Sequence, residues 1–308
     1  MSSQRPIAVI GAGLMGHGIA LTFARAGHQV NLTDPTKDVL ATAKARITQS
    51  LELLGAQSSE IEQSVARIAL FSDLPDAVTD ASVVFEAAPE KLELKQSIFS
   101  QLEEHAPADA ILASNTSVIQ ISKIMGNLKT RHRALGTHWW NPPHMIPLVE
   151  VVKTQWTDPD TAQQMHDLLG QAGKTPVMVE KDVPGFIGNR LQHALWREAI
   201  SLVENGICSA QAVDDVVKAS FGRRLAVLGP LENADLVGLE LTQDIHKQVL
   251  FDLETSPEPS PHLQELLNEG RTGMAAGRGL REWKEGDLDA TKARVADHLR
   301  KLETILPK

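Results

Sequence analysis

Short apolar runs alternate with amphipathic stretches from the start of the chain to about residue 183. The runs, bounded by Gly, Asp, Ser or Pro, predict strands over Ile7–Ile10, Gln29–Thr33, Arg67–Leu70, Val83–Glu86, Ile111–Ala113, Ala134–Thr137, Leu148–Val152 and Thr175–Val179. Between several of them apolar residues recur at helical spacing, as in Leu14–Ala26, Leu92–His105 and Thr161–Ala172. Parallel neighbours need a crossover between them, so strand–helix alternation predicts an α/β domain on a mostly parallel sheet. After Val183-Pro184-Gly185-Phe186 the strand signal stops. Helical spacing then continues through Leu191–Glu204, Ala210–Ser220, Asn233–Leu250 and Leu263–Leu267, and Asp287–Leu302 reads as a helix with a solvated face. The expected organisation is therefore an α/β domain over residues 1–183 and a smaller all-helical domain over residues 184–308. The three prolines within Ser256–Pro261 read as a loop between helices.

Composition narrows the chemistry. The chain has 308 residues, of which 42% are hydrophobic, enough for two cores. No apolar run approaches the roughly 20 residues that would span a bilayer, and the first residues carry too short an apolar run for a signal peptide. The single cysteine, Cys208, cannot form an internal disulfide. These features predict a cytoplasmic protein with no membrane partner. A net charge of −9 without a basic cluster predicts no nucleic-acid partner, and it requires anionic ligands to be held by local devices. The sequence has no tyrosine, which excludes a tyrosine proton donor, and one cysteine excludes a multi-thiolate zinc site. No metal is expected.

Gly11-Ala12-Gly13-Leu14-Met15-Gly16 is a G-x-G-x-x-G directly after the first strand and at the start of a helix. The first glycine permits a tight turn and the second a close approach of backbone to pyrophosphate. The third lets helix pack on strand, with the helix N-terminus toward the phosphates. Asp34 closes the second strand, where a carboxylate can accept from the adenosine ribose 2′-hydroxyl and would repel a 2′-phosphate. The domain is thus expected to be of the Rossmann type with NAD as cofactor; the alternative for Asp34 is a turn residue before Pro35.

His138 lies at the end of a strand and before the turn Asn141-Pro142-Pro143, where ligands bind on open α/β sheets. A hydroxyl can give up hydride only if a base takes its proton, and an imidazole suits that task near neutral pH. Glu150 lies on a strand that can return alongside, where a carboxylate would orient the ring.

GAGLMG at 11–16, SNTS at 114–117, HWWNPP followed by IPLVEVV within 138–152, PGFIGNRL at 184–191, GPLENADLVGL at 229–239 and GMAAGRGLREW at 273–283 occur in order along the chain. Together they resemble the L-3-hydroxyacyl-CoA dehydrogenase family, and within it the lambda-crystallin (L-gulonate 3-dehydrogenase) and carnitine dehydrogenase branch. The resemblance implies His138 as catalytic base with Glu150 as its partner. It implies that Ser117 and Asn189 bind the reacting oxygen or orient the histidine, and that Glu90, Lys95, Asn115 and Asn141 line the nicotinamide ribose. It also implies a helical domain that closes over the substrate and pairs in a homodimer. Bland alternatives are a helix cap at Ser114 or Thr116 with Ser117 in the first turn, an ordinary helix position for Asn189, and solvated side chains for Glu90 and Lys95. A catalytic lysine of the G-x-x-x-K-x-x-x-N type, as in 3-hydroxyisobutyrate dehydrogenases, has no matching spacing between Gly170 and Asn189.

Two departures bear on the substrate. Acyl-CoA members carry lysines after the second strand, whereas residues 47–66 here hold no lysine or arginine. Arg224 opens an R-x-A-x-x-G-P resembling the free-acid branch, where it can pair with a carboxylate; a surface arginine beside Arg223 is the alternative. The expected substrate is a free 3-hydroxy acid, with a 3-hydroxyacyl-CoA thioester second, a preference that GMAAGRGLREW opposes.

Overall fold

The computed structural model describes residues 5–306, the side chain of Glu303 excepted. The chain forms two compact units, one ending at Arg190 and the other beginning at Leu191.

The first unit is built on β1 (Ile7–Ile10), β2 (Val30–Thr33), β3 (Ile68–Phe71), β4 (Val83–Glu86), β5 (Ile111–Ser114), β6 (Ala134–Trp139), β7 (Leu148–Val152) and β8 (Thr175–Val179). They form one sheet in the order β3-β2-β1-β4-β5-β6-β7-β8. Neighbours are parallel except β6 and β7, which run antiparallel. The helices are α1 (Gly16–Arg25), α2 (Lys37–Ala41), α3 (Ala43–Leu53), α4 (Ser58–Ala66), α5 (Leu74–Val78), α6 (Leu92–His105), α7 (Ile121–Met125) and α8 (Pro159–Gln171).

Successive strand residues point to opposite faces, and here both faces are covered. Ile7 and Val9 join a core with α1, α3 and α8, while Ala8 and Ile10 join another with α5, α6 and α7. That is why the central strands read as unbroken apolar runs. Phe23, Phe85 and Trp139 meet inside the first core, with ring centroids 4.9–6.0 Å apart, each such pair contributing about 0.5–1.5 kcal/mol beyond area burial. Trp139 thereby anchors the end of β6 and turns its neighbour His138 to the other face.

The second unit continues α9 (Gly188–Glu204) and adds α10 (Ala210–Ala219), α11 (Pro230–Val237), α12 (Leu239–Val249), α13 (Pro261–Asn268) and α14 (Asp287–Ile305). The single helix expected over Asn233–Leu250 is two, broken at Gly238, whose φ of 95° no α-helix accommodates. Ser209 and Ser260 accept amide hydrogen bonds at the starts of α10 and α13. Polar ties such as Arg281–Asp214 at 2.7 Å and Ser260–Glu204 at 2.8 Å link the helices. No residue of α9 to α12 is fully buried.

Candidate active site

Strand order reverses between β1 and β4, and the carboxyl ends of β1, β4, β5 and β6 open on one side of the sheet. Such a switch point forms a crevice for ligands. Gly11 enters it with φ 99°, and a Cβ there would stand 2.7 Å from the Ala87 carbonyl oxygen. A Cβ on Gly16 would overlap the Gly11 carbonyl, so both positions are fixed by packing. Gly13 differs, since nothing lies within 4 Å of where its Cβ would be. Its open side is room the protein does not use, which fits a pyrophosphate held against the backbone. Leu14 is 64% exposed and Met15 packs partly against the core. Asp34 accepts from the Ala12 amide at 2.8 Å and from the Thr36 amide at 2.8 Å, tying the loop to the end of β2. A carboxylate has about four lone-pair positions, so acceptor capacity remains for a ribose hydroxyl.

At the ends of β6 and β7, His138 stands directly opposite Glu150 in the antiparallel register. His138 Nδ1 is 2.6 Å from Glu150 Oε2, and the two residues are 3% and 1% exposed. A carboxylate only accepts, so Nδ1 carries a hydrogen, and in the neutral ring Nε2 is then the acceptor. Trp140 and Phe186 flank the imidazole at 5.4 and 5.5 Å between centroids. The other oxygen of Glu150 accepts the amides of Ile187 at 2.8 Å and Gly188 at 3.0 Å, at the start of α9. Burial alone would raise the Glu150 carboxyl, but the His138 hydrogen bond and those two amides outweigh it and hold it below the ordinary range.

The turn into α9 needs left-handed backbone at Gly185 (φ 74°) and Phe186 (φ 51°). For a bulky residue this is strained by about 1–3 kcal/mol, offset by a Phe186 ring only 1% exposed. A Cβ on Gly188 would meet the Trp140 ring at 2.4 Å, so glycine lets the helix start lie against the indole.

A second carboxylate group closes the ends of β4 and β5. Glu86 and Lys95 are both 0% exposed and lie 2.8 Å apart. Glu86 also accepts from Ser114 Oγ at 2.6 Å and from the Ala88 amide at 2.7 Å. Lys95 Nζ reaches the Ala88 carbonyl at 3.2 Å and stands 3.5 Å from Glu90. Glu90 accepts from Thr116 Oγ1 at 2.5 Å and from the amides of Ser117 and Val118. Burial would raise Glu90, yet the Thr116 bond, the Lys95 charge and these amides pull it below the ordinary range. Asn115 accepts from the Trp139 amide at 3.0 Å, which leaves its Nδ2 hydrogens for another partner.

The structure thus brings the sequence-selected residues of the first unit to neighbouring strand ends. Ser117 is exposed, and its carbonyl accepts from Asn189 Nδ2 at 2.9 Å. Asn141 is also exposed, before a cis bond to Pro142. Lys95, in contrast to a solvated lysine, is enclosed. Arg224 lies in the second unit, exposed just after a 3₁₀ turn over Phe221–Arg223. Glu86, Ser114 and Lys174 were not singled out from sequence as site residues. Lys174 donates to the carbonyls of Pro143 at 2.5 Å and Ile146 at 3.1 Å, and its ammonium lies 5.3 Å from the Trp139 ring centroid. It pins the turn that follows His138. A Glu in register with a Ser across β4 and β5 was the readable signal for the first two.

A glycine loop, a carboxylate at the end of β2 and a buried His–Glu pair beyond the switch point have the layout that an NAD-dependent dehydrogenase site needs. Residues 6–183 match the 3-hydroxyacyl-CoA dehydrogenase NAD binding domain, and residues 185–283 match the C-terminal domain of the same enzymes. The chain is 33% identical to 5-formyl-3-hydroxy-2-methylpyridine 4-carboxylate 5-dehydrogenase of Mesorhizobium japonicum, over 98% of this chain and 97% of that one. It is 37% identical to the human mitochondrial hydroxyacyl-coenzyme A dehydrogenase, over 90% and 91%. A crystal structure of a 5-formyl-3-hydroxy-2-methylpyridine 4-carboxylic acid 5-dehydrogenase, described as an NAD+-dependent dismutase, superposes with a TM-score of 0.90 at 33% identity and covers 98% of each chain. The chain belongs to the 3-hydroxyacyl-CoA dehydrogenase family of NAD-dependent oxidoreductases. Among the described residues no helix is long and apolar enough to cross a membrane, and no cluster of side chains could hold a metal ion.

Proposed function

We propose that this dehydrogenase oxidises the 3-hydroxyl of a free 3-hydroxy acid to the ketone, with His138 as the base. The observation that carries the reading is the buried 2.6 Å His138–Glu150 hydrogen bond, which leaves Nε2 as a proton acceptor. His138 Nε2 takes the hydroxyl proton. Glu150, kept ionised by the amides at the start of α9, stabilises the imidazolium that results. NAD, when bound, would supply the acceptor for the hydride, the carbinol hydrogen with its bonding electrons. Ser117 Oγ is the proposed partner of the reacting oxygen, and Asn189 braces the Ser117 turn through its bond to the Ser117 carbonyl. Asn115, Asn141 and Glu90 are the proposed neighbours of the nicotinamide ribose, with Lys95 acting behind Glu90.

The free acid is preferred because residues 47–66 hold no cation for the phosphates of CoA. Charge-assisted hydrogen bonds are worth roughly 1.5–3 kcal/mol each, so losing one costs about tenfold in affinity. The near-complete overlap with an enzyme of a free pyridine carboxylate agrees. A thioester substrate is the second reading, favoured by the identity to the human acyl-CoA enzyme. NADH oxidation with acetoacetyl-CoA beside a panel of free 3-keto acids separates the two. Turnover of a free acid, with KM for that acid raised about tenfold or more by Arg224→Ala, supports the first reading. Turnover of the thioester alone refutes it.

A homodimer is the proposed assembly, on the support of apolar side chains that α11, α12 and the turn after them leave open, such as Leu231, Leu236 and Phe251 at 81%, 72% and 82% exposure. Sedimentation at the 33.5 kDa of one chain would refute it. The proposed compartment is the cytoplasm, which agrees with a single unpaired cysteine.

A further inference from the structure

A chain of net charge −9 must hold a dinucleotide whose pyrophosphate is itself doubly negative. The Gly11–Gly16 motif offers the N-terminus of α1 for this, and no cation. The structure supplies one from α3. Arg46 Nη2 donates to the Ala12 carbonyl at 2.7 Å and to the Val39 carbonyl at 2.7 Å. The amide of the same Ala12 is held from the opposite side by Asp34 at 2.8 Å. Ala12 is fully buried, so both polar groups of the residue between Gly11 and Gly13 are fixed by charged side chains. Arg46 Nε is buried without a hydrogen-bond partner, which concentrates the guanidinium's bonding on the loop side. Burial lowers the pKa of His17 in the first turn of α1, its bond to Gly13 opposes this, and the Arg46 charge lowers it further. The guanidinium is therefore within electrostatic reach of the helix N-terminus. Arg46 is also the last cation before the empty stretch 47–66, and it is turned toward the dinucleotide loop.

We propose that Arg46 is a positioning residue for NAD: it fixes the Ala12 carbonyl while Asp34 fixes the Ala12 amide, and it sets a permanent cation behind the pyrophosphate loop. The inference rests on reading Gly11–Gly16 as that loop, and it is independent of whether the substrate is an acid or a thioester.

The test is titration of the intact protein with NADH, by fluorescence, and with ADP-ribose, by calorimetry, in wild type, Arg46→Met, Arg46→Gln and Arg46→Lys. ADP-ribose carries the pyrophosphate without nicotinamide. Arg46→Met is expected to weaken both ligands by the same factor, about tenfold, with Arg46→Lys recovering part of the loss. The His17 imidazole, followed by NMR, is expected to titrate at higher pH in Arg46→Met. Unchanged affinity for both ligands in a folded Arg46→Met protein overturns the proposal. So does weakening confined to NADH, which would put the effect at the nicotinamide end. If Arg46→Met does not fold, Arg46→Gln keeps a donor for the Ala12 carbonyl and removes the charge, and wild-type affinity there overturns the proposal equally. Gly13→Val is the control on the loop, since a branched side chain there enters the open space. Retained ADP-ribose binding in that variant would reject the loop reading instead.

Discussion

Two buried carboxylates sit in the same sheet, with two strands between them, and differ in what they hold. Glu86 at the end of β4 is paired with Lys95, Ser114 and the Ala88 amide. Glu150 in β7 is paired with His138 and the first amides of α9. Lys95 is a cation with all its reach directed at protein acceptors, so the Glu86 cluster is closed. His138 directs Nδ1 at Glu150, which leaves Nε2 for another partner. The same kind of side chain therefore makes a fixed strut in one place and, on the proposed function, a proton-handling pair in the other. The difference lies in whether the partner has a second, unoccupied function.

Removing the handling end should have the largest effect. His138→Gln is expected to lower kcat about 10²–10⁴-fold while leaving the NADH dissociation constant within about threefold. Steady-state turnover beside NADH fluorescence titration checks this, and unaltered turnover would make the pair as structural as its neighbour. Glu86→Gln should act on stability instead. It leaves the Lys95 ammonium without its buried counter-charge, at a cost of about 3–5 kcal/mol in urea unfolding. A loss below about 1 kcal/mol would mean that Glu90 takes over the lysine, and the strut is not closed.

The smallest effect concerns acid stability. Burial, with the nearby charges of His17 and Lys174, lowers the His144 pKa to about 4 from an ordinary 6.5. The unfolded chain therefore binds a proton there before the folded one does. Its contribution is fully present above pH 6.5 and is lost as pH falls from 6.5 toward about 4. Glu150 and Glu90, whose pKa values are depressed from 4.5, contribute above 4.5 and lose their share as pH falls through their folded values. His144→Gln should flatten the upper part of this acid slope in unfolding curves between pH 7 and 4. An unchanged slope there would assign it to other groups.

Sequence reading placed all eight strands within one or two residues; the inner strands, buried on both faces, leave unbroken apolar runs, and the partly exposed β3 and β8 are marked by the breakers that bound them. It read Asn233–Leu250 as one helix, since a lone glycine in a helical pattern costs only about 1 kcal/mol and does not by itself announce a break. His138 and Glu150 were legible as residue types on adjoining strands, but their direct opposition follows from a register that only the folded sheet fixes. The second duty of Glu150, holding the start of α9, has no sequence mark, because amide donors look alike in every residue. Lys95 came to notice only through the family resemblance, and its complete burial depends on α6 packing and on a Glu86 that closes a strand like any polar residue. Arg46 escaped notice because its role is to hold a carbonyl, and carbonyls carry no signature.

The contact between Trp140 and Gly188 sets an order on how this protein can change. A methyl group added at 188 first meets the indole edge, whereas a smaller ring at 140 first opens the room that the methyl needs. The two substitutions are thus non-additive, and one route between the same end points passes through a crowded intermediate while the other does not. A larger side chain at 188 therefore has to follow a smaller one at 140.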